Sequence, residues 1–213
     1  MDKNAARKIL LVAVFLQSLV ITASCAGPWL VYRPSDSSFT PVPASASVTT
    51  PSNVKAKLPP VPDTWEIVDA DYADVTGDGV PEWVLAVRRP WRDWPIVSWH
   101  GGESPIADFR DREGKSSHLV LLDDAGGEIW AGSALPLPIR ALAAGDIDSG
   151  GAIEVVTLEG GYTDRPGRPA RRIDVWRWDC FGFSLVHRSD AGRFRELFLC
   201  DTDTDGILDI IIR

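Results

Sequence analysis

Three stretches of this chain carry acids at alternate positions and close on an acid at the ninth. They are Asp74-Val75-Thr76-Gly77-Asp78-Gly79-Val80-Pro81-Glu82, Asp146-Ile147-Asp148-Ser149-Gly150-Gly151-Ala152-Ile153-Glu154 and Asp201-Thr202-Asp203-Thr204-Asp205-Gly206-Ile207-Leu208-Asp209. Hard oxygen ligands spaced in this way, with glycine where the backbone turns sharply, suit a calcium ion, which takes about six to eight oxygens. The third loop is the best formed: Asp201, Asp203, Asp205 and Asp209 supply carboxylates, and the carbonyl of Ile207 can join them. In the first, Thr76 replaces one acid, leaving Asp74, Asp78, Glu82, a hydroxyl and the Val80 carbonyl, a weaker set that should still bind. In the second, Gly150 removes the middle ligand. Asp146, Asp148 and Glu154 must then rely on the Ala152 carbonyl and water, few enough ligands for the loop to stay empty.

Asp and Gly also favour tight turns with no ion present. Three copies in phase, each with an acid at the head of an apolar strand, argue for metal at one or more of them. An EF-hand is a poor fit, because that loop is longer and sits between helices. The expected role of the ion is structural: clustered carboxylates repel one another until a cation neutralises them, and binding would then fix the turn and the strand register.

Other chemistry is thinly represented. The three histidines, His100, His118 and His187, form no HExxH pattern, and no Gly-x-Ser-x-Gly elbow or phosphate-cradling glycine loop is present. Carboxylates engaged with calcium are poor general acids or bases. The expectation is therefore a non-catalytic chain. Cys180 and Cys200 are candidates for a bridge in an oxidising compartment, but Cys200 stands where the other repeats have Ala73 and Gly145, which favours a small packed residue.

The loops recur at spacings of 72 and 55 residues, which calls for a repeat architecture. Ile139, Arg140, Leu142 and Ala144 ahead of the second loop align with Phe194, Arg195, Leu197 and Leu199 ahead of the third. Each unit offers an incoming strand, the acidic turn, an outgoing strand (Trp83 to Val87, Val155 to Leu158, Ile210 to Ile212) and then a hairpin. Leu119 to Leu122 turns at Asp124 to Gly127 into Glu128 to Trp130, and Ile173 to Trp176 turns near Cys180 to Gly182 into Phe183 to Val186. The first unit carries a long insertion, roughly Arg88 to Ser117, with Trp91, Trp94 and Trp99. Its indoles either bind a ligand or fold back over the sheet edge. Trp176 and Trp178 alternate on one strand face and read as packing between units.

On these loops and their spacing, residues from about Trp65 to Arg213 resemble the integrin-alpha-type calcium repeats, the FG-GAP or VCBS family. The Phe-Gly and Gly-Ala-Pro signatures that name the family are not clearly present. The resemblance implies an all-β fold, a β-propeller of four-stranded antiparallel blades with calcium held in the Asp-rich loops. The sequence supplies only about two and a half blades over 64–213, a partial propeller. That predicts a truncated copy of a longer protein, an assembly completed by other chains, or an open array, with truncation favoured.

The N-terminus reads as a leader. Lys3, Arg7 and Lys8 precede an apolar run from Ile9 to Ile21, and Thr22-Ala23-Ser24 stand before Cys25. The segment resembles a bacterial lipoprotein signal, which implies lipidation of Cys25; ordinary secretion and an uncleaved membrane anchor are the alternatives. All three place the chain outside the cytoplasm, where calcium is plentiful. The organisation expected is a signal segment over 1–25, a disordered linker over 26–63, whose Pro34 to Asp63 part is rich in Pro, Ser, Thr and Ala, and repeats thereafter.

The net charge of −8 and a pI near 4.9 argue against a nucleic-acid partner. Nine Trp, sixteen Pro and one Met among 213 residues suit an all-β domain with proline-rich connections. The functional expectation is a membrane-tethered, calcium-stabilised module that binds a protein or a glycan. The rival readings are an accessory region of a larger enzyme of the lyase or phospholipase type, and a truncated fragment without function.

Overall fold

The structure is a computed structural model that describes residues 28–42, 58–94 and 103–213. The leader with Cys25, and Trp99 and His100 of the insertion, lie outside the described residues. The fold is all-β: twelve strands form three four-stranded antiparallel sheets, with no helix among the described residues.

The first sheet is a meander of β3 (Glu66–Ala73), β4 (Glu82–Pro90), β5 (Lys115–Leu122) and β6 (Glu128–Ala131). The second repeats that order with β7 (Ile139–Gly145), β8 (Glu154–Glu159), β9 (Arg172–Trp178) and β10 (Phe183–Arg188). Each acidic loop joins an innermost strand to the next, as the repeats predict. The third sheet begins in the same way with β11 (Leu197–Cys200) and β12 (Asp209–Ile212), but its outer two strands come from the other end of the chain. β1 (Leu30–Arg33) and β2 (Ser38–Pro41) complete it in the order β11-β12-β1-β2, with Leu30 opposite Ile212 and Tyr32 opposite Ile210. The two strands that the sequence offers for the third unit are thus joined by two more.

This corrects the reading of 26–63 as a disordered linker where β1 and β2 lie; residues 26–27 and 43–57 of that span lie outside the described residues. β1 and β2 are short, and four-residue strands leave too little periodicity to notice in a polar stretch. Their hairpin closes on Ser37, whose φ of 54° places it in the left-handed region, and Asp36 Oδ1 accepts the Ser38 N–H at 3.0 Å. Pro41 is tolerated because β2 is an edge strand. Farther along the same stretch, Leu58 and Val61 join Trp65 in covering the outer face of the first sheet.

Alternation along the strands builds the layers. In β8, Val155 faces the first sheet, packing with Val84, Ala86, Leu119, Leu121 and Trp176. Its neighbour Val156 faces the third, packing with Tyr32, Ile173, Ile210 and Ile212. The second sheet is therefore buried on both faces, which explains why all six residues of β8 are buried. Each such Val, Leu or Ile contributes about 1.5–3 kcal/mol relative to exposure. Trp176 and Trp178 both pack in the layer between first and second sheets; Trp176 Nε1 donates to Thr157 Oγ1 at 3.0 Å, and Trp178 meets Trp130 edge-on at 5.9 Å.

The inner strands approach one another at their edges. Gly145 fits tightly against the third sheet, since a Cβ there would lie 2.5 Å from Leu208 Cδ1 and 3.0 Å from Leu199 Cδ1. Between the first and second sheets, Asp69 and Asp71 of β3 accept the Leu142 and Ala144 N–H groups of β7 at 3.0 and 2.8 Å.

Candidate metal centres

The three loops share one backbone frame. Their fourth residues, Gly77, Ser149 and Thr204, have φ of 75°, 61° and 65°, and their sixth, Gly79, Gly151 and Gly206, have 90°, 75° and 89°. The sequence flags glycine at the sixth position in every copy. It gives no such flag at the fourth, where Ser149 and the β-branched Thr204 adopt the left-handed conformation at a cost.

Side chains hold this frame in the same way each time. The first acid accepts the N–H of the sixth residue: Asp74 from Gly79 at 3.0 Å, Asp146 from Gly151 at 2.9 Å, Asp201 from Gly206 at 3.0 Å. The ninth acid reaches back to the N–H of the second: Glu82 to Val75 at 2.9 Å, Glu154 to Ile147 at 3.3 Å, Asp209 to Thr202 at 3.3 Å. Fifth-position acids accept from the seventh, Asp78 from Val80 and Asp205 from Ile207, both at 2.8 Å. Gly150 leaves Ala152 without that contact.

The carboxylates gather into three groups: Asp74, Asp78 and Glu82; Asp146, Asp148 and Glu154; and Asp201, Asp203 and Asp205. Within each, one oxygen per residue lies within 4.8 Å of the others, close enough to hold a metal ion. Asp209 stands apart from the third group and is tied instead to the Thr202 hydroxyl. Thr76 Oγ1 donates to Glu82 Oε1 at 2.6 Å, and its lone pairs remain available.

Charge separates the loops. Among the described residues, no Lys or Arg pairs with an acid of the first or third loop, although Glu82 is only 3% exposed. A buried carboxylate ordinarily has a cationic partner or a metal, so the group around Glu82 fits a bound cation; the third group is more exposed and fits one through the convergence of its oxygens alone. The second loop differs, because Arg177 of β9 bonds to Asp148 Oδ2 at 2.7 Å and to Glu154 Oε1 at 2.9 Å through Nε. Sequence reasoning missed Arg177. Only the strand register, which sets it opposite Glu154, could have pointed to it.

A second charged cluster lies at the far end of β8. Glu159 and Asp174 are both buried and share Arg188, whose Nη2 lies 3.2 Å from Glu159 Oε2 and whose Nε lies 2.9 Å from Asp174 Oδ1. Burial, and then the neighbouring Asp174 carboxylate, push Glu159 up to about 9.

The insertion is shorter than the sequence suggests, because β4 runs to Pro90 and β5 starts at Lys115. Trp91 folds back, its Nε1 donating to the Ile106 carbonyl at 3.0 Å under the Arg110 guanidinium. Trp94 is 41% exposed and lines a cleft of about 520 Å³ with Trp65, Arg89, Arg92, Asp93 and His118. His118 is buried and its pKa is lowered to about 4 by that burial; its Nδ1–H donates to the Gly132 carbonyl at 2.8 Å, and Nε2 accepts from Ser116 at 2.7 Å. Cys180, exposed in the β9–β10 turn, and half-buried Cys200 form no disulfide.

Comparison of the chain with protein-family models, with curated proteins and with solved structures finds no match.

Proposed function

We propose that this chain is a calcium-stabilised repeat module of the propeller type, non-catalytic, held at the outer face of a membrane and presenting a cleft to a glycan. One observation carries the calcium reading: the acids of the first and third loops converge with no Lys or Arg paired to them among the described residues, on a backbone frame that their own side chains hold in shape. Asp74, Asp78 and Glu82 would hold one ion, and Asp201, Asp203 and Asp205 another. Bound calcium would supply neutralising charge and rigidity where the inner strands begin.

The Trp94 cleft supports the glycan reading, since an accessible indole beside Arg92 and Asp93 offers a sugar ring both a stacking face and hydrogen-bond partners. A protein ligand would use the same exposed indole as an anchor. The basic start, apolar run and small residues before Cys25 support attachment through a lipid on that cysteine. Leu30 follows five residues later, so full extension would place the third sheet no more than about 18 Å from the anchor.

Thermal melting with calcium and then with chelator tests the first part. The ion should raise the midpoint, and Asp201→Asn with Asp205→Asn should remove much of the shift. A melt indifferent to calcium would return these loops to ordinary turns. Glycan-array binding that Trp94→Ala abolishes would support the cleft, whereas binding only to a protein partner would overturn the glycan reading. Cys25→Ser should move the chain from the membrane to the soluble fraction.

A further inference from the structure

We infer that the second acidic loop carries its own cation: the Arg177 guanidinium takes the place of a metal ion, so that the chain binds two calcium ions, in its first and third loops, and not three. The inference rests on the calcium reading above for the count of two. The Arg177 lock itself stands on geometry alone.

The second loop keeps the whole frame of the other two. It has the left-handed turns at Ser149 and Gly151, the Asp146 bond to Gly151, and the Glu154 bond to Ile147. What it lacks is the fifth-position carboxylate, and the substitution there is specific. A Cβ on Gly150 would lie 2.7 Å from Asp148 Oδ1, so a side chain at this position would displace Asp148. Glycine leaves Asp148 free to turn toward Arg177, with its other oxygen accepting the Gly150 N–H at 2.8 Å.

Arg177 arrives from the adjacent strand. It pairs in register with Glu154, which is 1% exposed, and its Nη2 lies 2.7 Å from both Glu154 Oε1 and Asp148 Oδ2. The guanidinium thus joins Asp148 and Glu154, two of the three acids that a metal here would have to join. A planar fork with several donors suits that task, and a divalent ion could enter only by expelling it.

The other sheets supply the comparison. Trp83 faces Leu122, so the residue opposite Glu82 in the first sheet is Asp123, an acid where the second sheet has a base. Tyr32 faces Ile210, so the residue opposite Asp209 in the third is Arg33. Arg33 is exposed, and no ion pair joins it to a described acid. A basic residue at this register is therefore not enough; the lock forms where Gly150 has cleared room for it.

Calcium counting on the full chain, by equilibrium dialysis with calcium alone, should give two equivalents. Arg177→Ala should lower the melting midpoint in chelator and raise the count to three, while Arg177→Lys should keep two. Three equivalents in the native chain, with no change on Arg177→Ala, would overturn the inference. A native count of zero would refute the calcium reading and leave the lock to a second measurement. In chelator, Arg177→Gln and Glu154→Gln should be strongly non-additive, the double variant melting well above the sum of the single losses. Additive losses would refute the lock whatever the metal count.

Discussion

Asp71 Oδ2 accepts the Ala144 N–H at 2.8 Å, so a carboxylate of the first sheet satisfies the inner edge of the second. Asp69 does the same for Leu142 one pleat away. These bonds join two layers whose strands do not pair. Asp71→Ala should cost about 1–3 kcal/mol in urea unfolding, because it strands a partly buried donor, while Asp71→Asn, which keeps an acceptor, should cost less. Equal losses would show that the acceptor at this position is not what stabilises the contact.

The Glu159 pair makes stability depend on pH. The folded pKa of about 9 lies above the ordinary carboxyl value of 4.5, so folding takes up a proton between them. The stability contributed is fully present below about pH 4.5 and is lost as pH rises toward 9. Melting midpoints should therefore fall over that interval, and Glu159→Gln, which is neutral throughout, should flatten the profile. An equally steep decline in the variant would assign the effect elsewhere.

His118 acts in the opposite sense. Its folded pKa of about 4 lies below the ordinary 6.5, so its contribution is present above pH 6.5 and is lost as pH falls toward 4. His118→Asn, whose amide can still donate to the Gly132 carbonyl, should remove this acid-side loss. Its midpoint should change less between pH 6.5 and 4 than that of the native chain.

Thr204 occupies a left-handed conformation that Gly77 occupies without penalty in the first loop. Thr204→Gly should raise stability by about 0.5–1 kcal/mol in chelator, the relief of strain exceeding the entropy that glycine adds to the unfolded chain. A lower midpoint would mean that the Thr204 hydroxyl bond to the Asp203 carbonyl, at 2.6 Å, outweighs the strain.

The β1–β2 hairpin should be separable. A chain lacking residues 28–42 exposes the apolar edge of β12, Ile210 to Ile212, and should self-associate. A synthetic peptide of those residues should return it to a monomer by adding strands to that edge. Sedimentation velocity reads both outcomes, and a monomeric deletion variant would show that the hairpin does not protect the edge.

Much of this was legible because the repeats are written in local chemistry. Glycine at the sixth position and acids at the first and ninth specify a turn, and the β-branched runs after them specify the strand that follows. The frame of all three loops was readable for that reason. Arg177 was not, since its role depends on the register of β9 against β8, a pairing across a long connection. Asp69 and Asp71 were hidden likewise, because their partners are backbone groups of another sheet. β1 and β2 escaped notice because nothing local marks them: Leu30 becomes a strand residue through Ile212, and sequence proximity holds no trace of that partner.

The pairing of Leu30 with Ile212 also sets an order of events. A chain made from its N-terminus delivers β1 long before β12, at about 5–20 residues per second. The earliest strands must wait for a template that is built last, while the first and second sheets assemble from neighbours already present. The third sheet, completed only when β1 meets β12, is then the slowest to form, and a chaperone that shields residues 30–41 during that wait would raise the yield of folded protein.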